Sequence, residues 1–142
     1  MKKYIGKTAT AIIPYPNNTL LLIKRNTCPF INYWALPGGR MEPNETSAQT
    51  ILREVKEETG LDVVVVDVLG DYVERGVDGG VVYEYFPTCF VVQVVGGELR
   101  KQDSEIQDIQ LFSIDALPRP LAFEHEKMIE DYVHAKRRES LI

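Results

Sequence analysis

Glu54, Glu57 and Glu58 stand three and four residues apart in the stretch from Ser47 to Gly60. On an α-helix those offsets bring side chains together on neighbouring turns, so the three carboxylates share an arc of about 100°. Such a cluster is locally unfavourable. Like charges at these spacings cost roughly 0.2 to 0.5 kcal/mol per pair, and acids near a helix C-terminus oppose the helix dipole. A hard dication compensates the repulsion, and carboxylate oxygens suit Mg²⁺ or Mn²⁺ where His and Cys would suit Zn²⁺. The spacing predicts metal-assisted chemistry on an anionic substrate; the plainer alternative is a solvated acidic helix face.

The element carrying these residues is marked at both ends. Thr46 and Gln49 form a capping box that starts a helix near Thr46, and Gly60 is placed to end it at Thr59. Ala48, Ile51, Leu52, Val55 and Thr59 fall on one stripe expected to face a core. Just before it, Gly38 and Gly39 allow backbone angles and close approaches that a Cβ would forbid, which suits a loop that follows metal and phosphate. Strand-like segments occupy about 7–14, 19–25, 62–74, 81–95 and 107–113. Turn chemistry appears at Pro16-Asn17-Asn18, Asp78-Gly79-Gly80 and Gly96-Gly97. A second helical pattern runs from Leu121 to about Arg138, with Phe123, Met128, Ile129, Tyr132 and Val133 as its buried face. Strand runs flanking two helices predict an α+β domain with a mixed sheet and a helix on each face.

From Gly39 to Leu61 the chain reads GRMEPNETSAQTILREVKEETGL. It resembles the Nudix box, G-x5-E-x7-R-E-U-x-E-E-x-G-U, with Gly39, Glu45, Arg53, Glu54, Glu57, Glu58 and Gly60 at the specified positions and Val55 and Leu61 at the bulky aliphatic ones. The resemblance implies a Nudix-type α/β/α sandwich with a mixed β-sheet between helices, spanning residues 1–142 as a single domain. It further implies hydrolysis of a nucleoside diphosphate linked to another moiety, with Mg²⁺ or Mn²⁺ as cofactor. Glu54, Glu57 and Glu58 then become metal ligands, Glu54 also a general base, and the Gly39 carbonyl a further ligand. Arg53 and Glu45 pair to orient the helix, while Gly38 and Gly60 support the site. Members often add a later carboxylate. Glu105 is the choice here, with Asp103, Asp108 and Glu98 competing.

Substrate choice lies outside the box. The stretch from Lys24-Arg25-Asn26 to Tyr33-Trp34-Ala35-Leu36-Pro37-Gly38-Gly39, and the later Leu121-Ala122-Phe123-Glu124-His125, look like the ADP-ribose pyrophosphatase branch. A proline often found beyond the box in that branch is replaced here by Gly76 and Val77. ADP-ribose leads. A nucleoside triphosphate, as in MutT-like sanitation of oxidised nucleotides, is the near rival, and a non-catalytic nucleotide-sensing domain or removal of an RNA cap are readings of other classes. Arg25 and Arg40 are expected to meet substrate phosphates, and Tyr33 and Trp34 to supply stacking surface, as could Tyr83, Tyr85 and Phe86.

A chain of 142 residues, 44% hydrophobic, is long enough to bury one core. A net charge of −5 argues against a sequence-independent grip on nucleic acid, leaving a small nucleotide as the partner. Lys136-Arg137-Arg138 is expected to decorate the end of the last helix. The longest aliphatic run, Val63 to Val66, is far short of a membrane span, and MKKYIGKTAT lacks a signal-peptide core, so a cytoplasmic protein without membrane contact is expected. Cys28 and Cys89 are expected as reduced thiols, and His125 and His134 carry no motif, since Ile129 breaks H-E-x-x-H. A sheet edge open for pairing would allow a homodimer.

Overall fold

The structure is a computed structural model that describes residues 1–101 and 104–140. Its larger sheet is built around β1 (Lys2–Ile12) and the long β8 (Val81–Gly97), which run parallel from Lys2 opposite Val81 to Ile12 opposite Val91. On its other side β8 pairs antiparallel with β6 (Leu61–Asp71) and β7 (Glu74–Asp78), and β5 (Gly38–Arg40) closes the free side of β1. The smaller, antiparallel sheet contains β2 (Pro14–Tyr15), β3 (Thr19–Arg25), β4 (Trp34–Ala35) and β9 (Ile106–Ser113). The one expected mixed sheet is thus two sheets, with all five strand segments found in place.

The two-residue period of the strands distributes their side chains to two cores. Ala9, Ala11, Leu21, Phe90 and Val92 pack with Ile51 and Val55 of α1 (Ser47–Thr59). Their chain neighbours Ile12, Leu20, Leu22 and Cys89 pack with Met128, Ile129 and Tyr132 of α2 (His125–Ser140). One helix therefore covers each side of the strands. Helix α1 begins as expected: the Thr46 hydroxyl accepts from the Gln49 N–H, the Gln49 side chain accepts from the Thr46 N–H, and Gly60 ends it at φ 80°. The expected stripe holds at Ile51, Val55 and Thr59, but Leu52 is 40% exposed. Thr50 is buried in its place, because its hydroxyl bonds both Glu45 and the Thr46 carbonyl.

Two further boundaries differ from the sequence reading. Residues 121–124 are not helical: Phe123 takes a left-handed φ of 52°, and the Ala122 N–H donates to the Trp34 carbonyl instead of to a helix ladder. Gly96-Gly97 is not a turn but the end of the β8 ladder, paired with Asp62 and Leu61. There Gly97 has φ 82°, and a Cβ would lie 2.4 Å from the Gly60 carbonyl oxygen. Strand β6 ends the larger sheet and carries exposed Val64, Val66 and Val68. Among the described residues, no helix is long and apolar enough to cross a membrane.

Candidate active site

A cavity of about 480 Å³ opens where β5, the end of β3 and the start of α2 meet. Two groups of residues on its wall differ in chemistry. The first comes from the glycine turn and α1. The Gly38 N–H donates to Glu58 Oε1 at 2.9 Å, and Gly39 lies so close to Glu54 that a Cβ would sit 2.4 Å from the carboxyl carbon. A Cβ on Gly38 would meet the Ala9 carbonyl oxygen at 2.2 Å. Neither glycine has a positive φ, so it is close approach, and not backbone angle, that requires them.

Arg53 organises the rest of the helix. Its Nε and Nη2 form a two-pronged pair with Glu45 at 2.6 and 3.0 Å, its Nη2 also donates to the Arg40 carbonyl, and its Nη1 reaches Glu54 at 2.9 Å and Glu57 at 3.3 Å. The guanidinium holds the Glu45 carboxyl down at about 2, and the carboxylates in turn raise the Arg53 pKa. The three expected carboxylates are consequently not equivalent. Glu54 and Glu58 line the cavity, whereas Glu57 is absent from its wall, half exposed and turned to Arg53. Among the described residues, no group of three His, Cys, Asp or Glu side chains is arranged to hold a metal ion. The donor set nevertheless fits a hard dication: two carboxylates on a cavity wall, against a backbone segment with no Cβ in the way, and a third on the adjacent turn.

The second group has no local signature. Arg25, Glu74 and the pair Phe123 and His125 come from three separate segments and line the same cavity. The Leu36 N–H donates to His125 Nδ1 at 3.0 Å, so the ring carries its proton on Nε2, which lies 3.7 Å from Glu74 Oε2. Burial drives the His125 pKa down to about 3, with the Arg25 charge adding to the effect, so this contact is not an ion pair. Burial also pushes the Glu74 carboxyl up to about 7, against the stabilising Glu124 N–H that donates to Oε2 at 3.2 Å. Burial lowers the Arg25 pKa, while the Glu58 charge is the largest influence raising it. The Arg25 guanidinium stands 5.0 Å from the Phe123 ring centroid.

Other expected residues divide clearly. Arg25, Arg40 and Glu105 line the cavity; Arg40 stacks on Tyr4 at 4.4 Å and donates to the Tyr85 hydroxyl. Tyr33 and Trp34 do not; both are half-buried, Tyr33 packed on Phe30 and Trp34 on Phe112. Of the acidic competitors, Asp108 caps the Ile109 N–H and Glu98 is exposed away from the cavity, and Asp103 lies outside the described residues. Glu74, His125 and Tyr4 are wall residues that sequence reasoning had not placed at the site, whereas Tyr85 stands among the stacking surfaces it offered. Only the burial of His125 at the start of the last helix had a weak signal, in the Leu121-to-His125 stretch.

Comparison with known proteins accords with this geometry. The family model described as the NUDIX domain matches residues 6–132. The chain is 42% identical over 122 residues to an ADP-ribose pyrophosphatase of Methanocaldococcus jannaschii, covering 84% of this chain and 69% of that protein. A NUDIX hydrolase from Nitrosomonas europaea superposes with a TM-score of 0.77 at 29% identity, covering 92% of this chain and 90% of that one. The NUDIX domain of Shewanella oneidensis NrtR, complexed with ADP ribose, superposes with a TM-score of 0.72 at 25% identity, covering 96% and 88%. Nudix hydrolases generally need divalent metal ions and act on small nucleotide substrates. The chain is a member of the NUDIX domain family, a pyrophosphohydrolase of nucleoside diphosphate derivatives.

Proposed function

We propose that this chain is a single-domain, cytoplasmic enzyme that cleaves ADP-ribose to AMP and ribose 5-phosphate with Mg²⁺ or Mn²⁺. The observation that carries the substrate is the 42% identity to an ADP-ribose pyrophosphatase over 84% of the chain. Glu54 and Glu58 from the cavity wall, Glu57 from the rim of α1 and the Gly39 carbonyl would hold the metal. When bound, the dication neutralises diphosphate charge and lowers the pKa of water.

The chain's own residues have distinct tasks. Arg25 and Arg40 supply positive charge to a substrate that the protein as a whole, at −5, would repel. Glu54 takes the proton of the attacking water as its oxygen bonds to one phosphorus, and the bridging oxygen leaves with the other phosphate. Glu105, on the cavity wall in the turn before β9, serves as the additional carboxylate. Arg53 and Glu45 hold α1 against the glycine turn, so that Glu54 and Glu58 keep their register, and Gly60 fixes where that helix stops. Tyr33 and Trp34 stabilise the interior behind the site and do not touch substrate. A stable complex with nucleic acid is not part of this function, and a homodimer would form along the β6 edge.

Separating the products formed from ADP-ribose, nucleotide sugars, diadenosine polyphosphates and nucleoside triphosphates with Mg²⁺ tests the reading. AMP and ribose 5-phosphate should form faster than any other product pair. Faster release of pyrophosphate from a triphosphate would replace ADP-ribose with the MutT-like substrate, and no cleavage across the panel would make the chain a sensor. Sedimentation at micromolar concentration tests the dimer, which a monomer mass would refute.

A further inference from the structure

We propose that Glu74 is a specificity-determining residue, its carboxylate accepting hydrogen bonds from vicinal hydroxyls of the sugar that lies beyond the diphosphate. This rests on the reading that a nucleoside diphosphate sugar is the substrate. Glu74 is 3% exposed, yet its side chain lines the cavity. Among the described residues its one hydrogen bond is from the Glu124 N–H, and that bond is made to Oε2. Its neighbour His125 is locked neutral by the Leu36 N–H and keeps Nε2 at 3.7 Å, too far for a hydrogen bond. No buried side-chain oxygen is stranded among the described residues, so the remaining acceptor capacity of Glu74 is directed at the cavity.

The chemistry of this corner selects the ligand. A second anion such as phosphate would be repelled by the carboxylate. A flat base would need an open ring face, but Phe123 is packed edge-on by Phe30, Tyr83 and Tyr85 and has Arg25 above it. Sugar hydroxyls meet both demands left over, since each donates to a carboxylate oxygen and accepts from a guanidinium such as Arg25. A buried acceptor of this kind discriminates strongly, because a sugar lacking the hydroxyl leaves it without a partner.

The test measures inhibition by ribose 5-phosphate and 2-deoxyribose 5-phosphate, in wild type and E74Q, of hydrolysis of whichever nucleoside diphosphate derivative the wild type cleaves. Wild type should bind ribose 5-phosphate about 10- to 100-fold more tightly than the deoxy sugar, and E74Q should bring the two within about twofold. Equal inhibition in wild type, or a full preference retained in E74Q, overturns the proposal. Failure of wild type to cleave ADP-ribose counts against the substrate reading instead. E74D, which keeps the charge but withdraws the oxygens by one methylene, provides a second variant if E74Q melts below the assay temperature; it too should lose the preference, and an undiminished ratio would overturn the proposal.

Discussion

Glu58 and Glu74 line one cavity in opposite circumstances. Glu58 is part of a helix whose acids are held by fixed donors: the Gly38 N–H binds it, and Arg53 gathers Glu45, Glu54 and Glu57. Among the described residues Glu74 has no cation bonded to it, and the Arg25 charge acts on it only from a distance. Its partner at ion-pair distance is a neutral histidine, and burial lifts its carboxyl to about 7. The first group is bound by fixed donors, and the second is buried with no cation bonded to it. A polyanionic substrate and a hard cation belong to the former, and a neutral, hydroxyl-bearing moiety to the latter.

The largest effect that could separate the two groups is chelation. Removing divalent ions should reduce turnover to background, with Mg²⁺ or Mn²⁺ restoring it, while the melting temperature of E74Q relative to wild type stays unchanged by the chelator. Turnover surviving chelation would break the assignment of the first group. Next, R53A should lower kcat about 10- to 100-fold, because Glu54 and Glu57 lose the group that orients them. A wild-type kcat in R53A would make the arginine purely structural. G38A should destabilise the fold by about 1 to 3 kcal/mol through the clash with the Ala9 carbonyl, read by urea denaturation. An unchanged midpoint would show that β1 and β5 separate freely.

The smallest effect is a slope. His125, whose folded pKa is about 3 against an ordinary 6.5, contributes stability that is lost as pH falls from 6.5 towards 3. Glu74, at about 7 against 4.5, does the reverse: the folded state binds the extra proton, so stability falls as pH rises from 4.5 to 7. Between pH 4.5 and 6.5 the two slopes oppose each other. E74Q should therefore gain a rising stability over that window where wild type is nearly flat. Parallel stability curves would mean that Glu74 titrates alike folded and unfolded.

How much was legible follows from the range of the contacts. Glu45, Arg53, Glu54, Glu57 and Glu58 are neighbours along one helix and its entry, so offsets of three, four and eight residues fix their proximity, and the capping box at Thr46 and Gln49 marks its start. Even there Glu57 turned outwards, because Arg53 competes for it, which spacing alone does not reveal. The Glu74 group is assembled by the Glu124 N–H reaching Glu74 and by docking of α2 under Leu36, contacts across 50 and 89 residues. No local period encodes those. Phe123 misled for the same reason: it is an apolar residue just ahead of the Met128-to-Val133 stripe, but the bond from Ala122 to the Trp34 carbonyl, a tertiary contact, keeps residues 121–124 out of α2.

The most direct test of the central claim, that cleavage belongs to the α1 carboxylates, is the steady-state rate of AMP release from ADP-ribose by E54Q beside wild type, both saturated with Mg²⁺ and shown folded by their melting curves. The account expects kcat to fall about 10²- to 10⁴-fold. A Gln at that position working at the wild-type rate would contradict it.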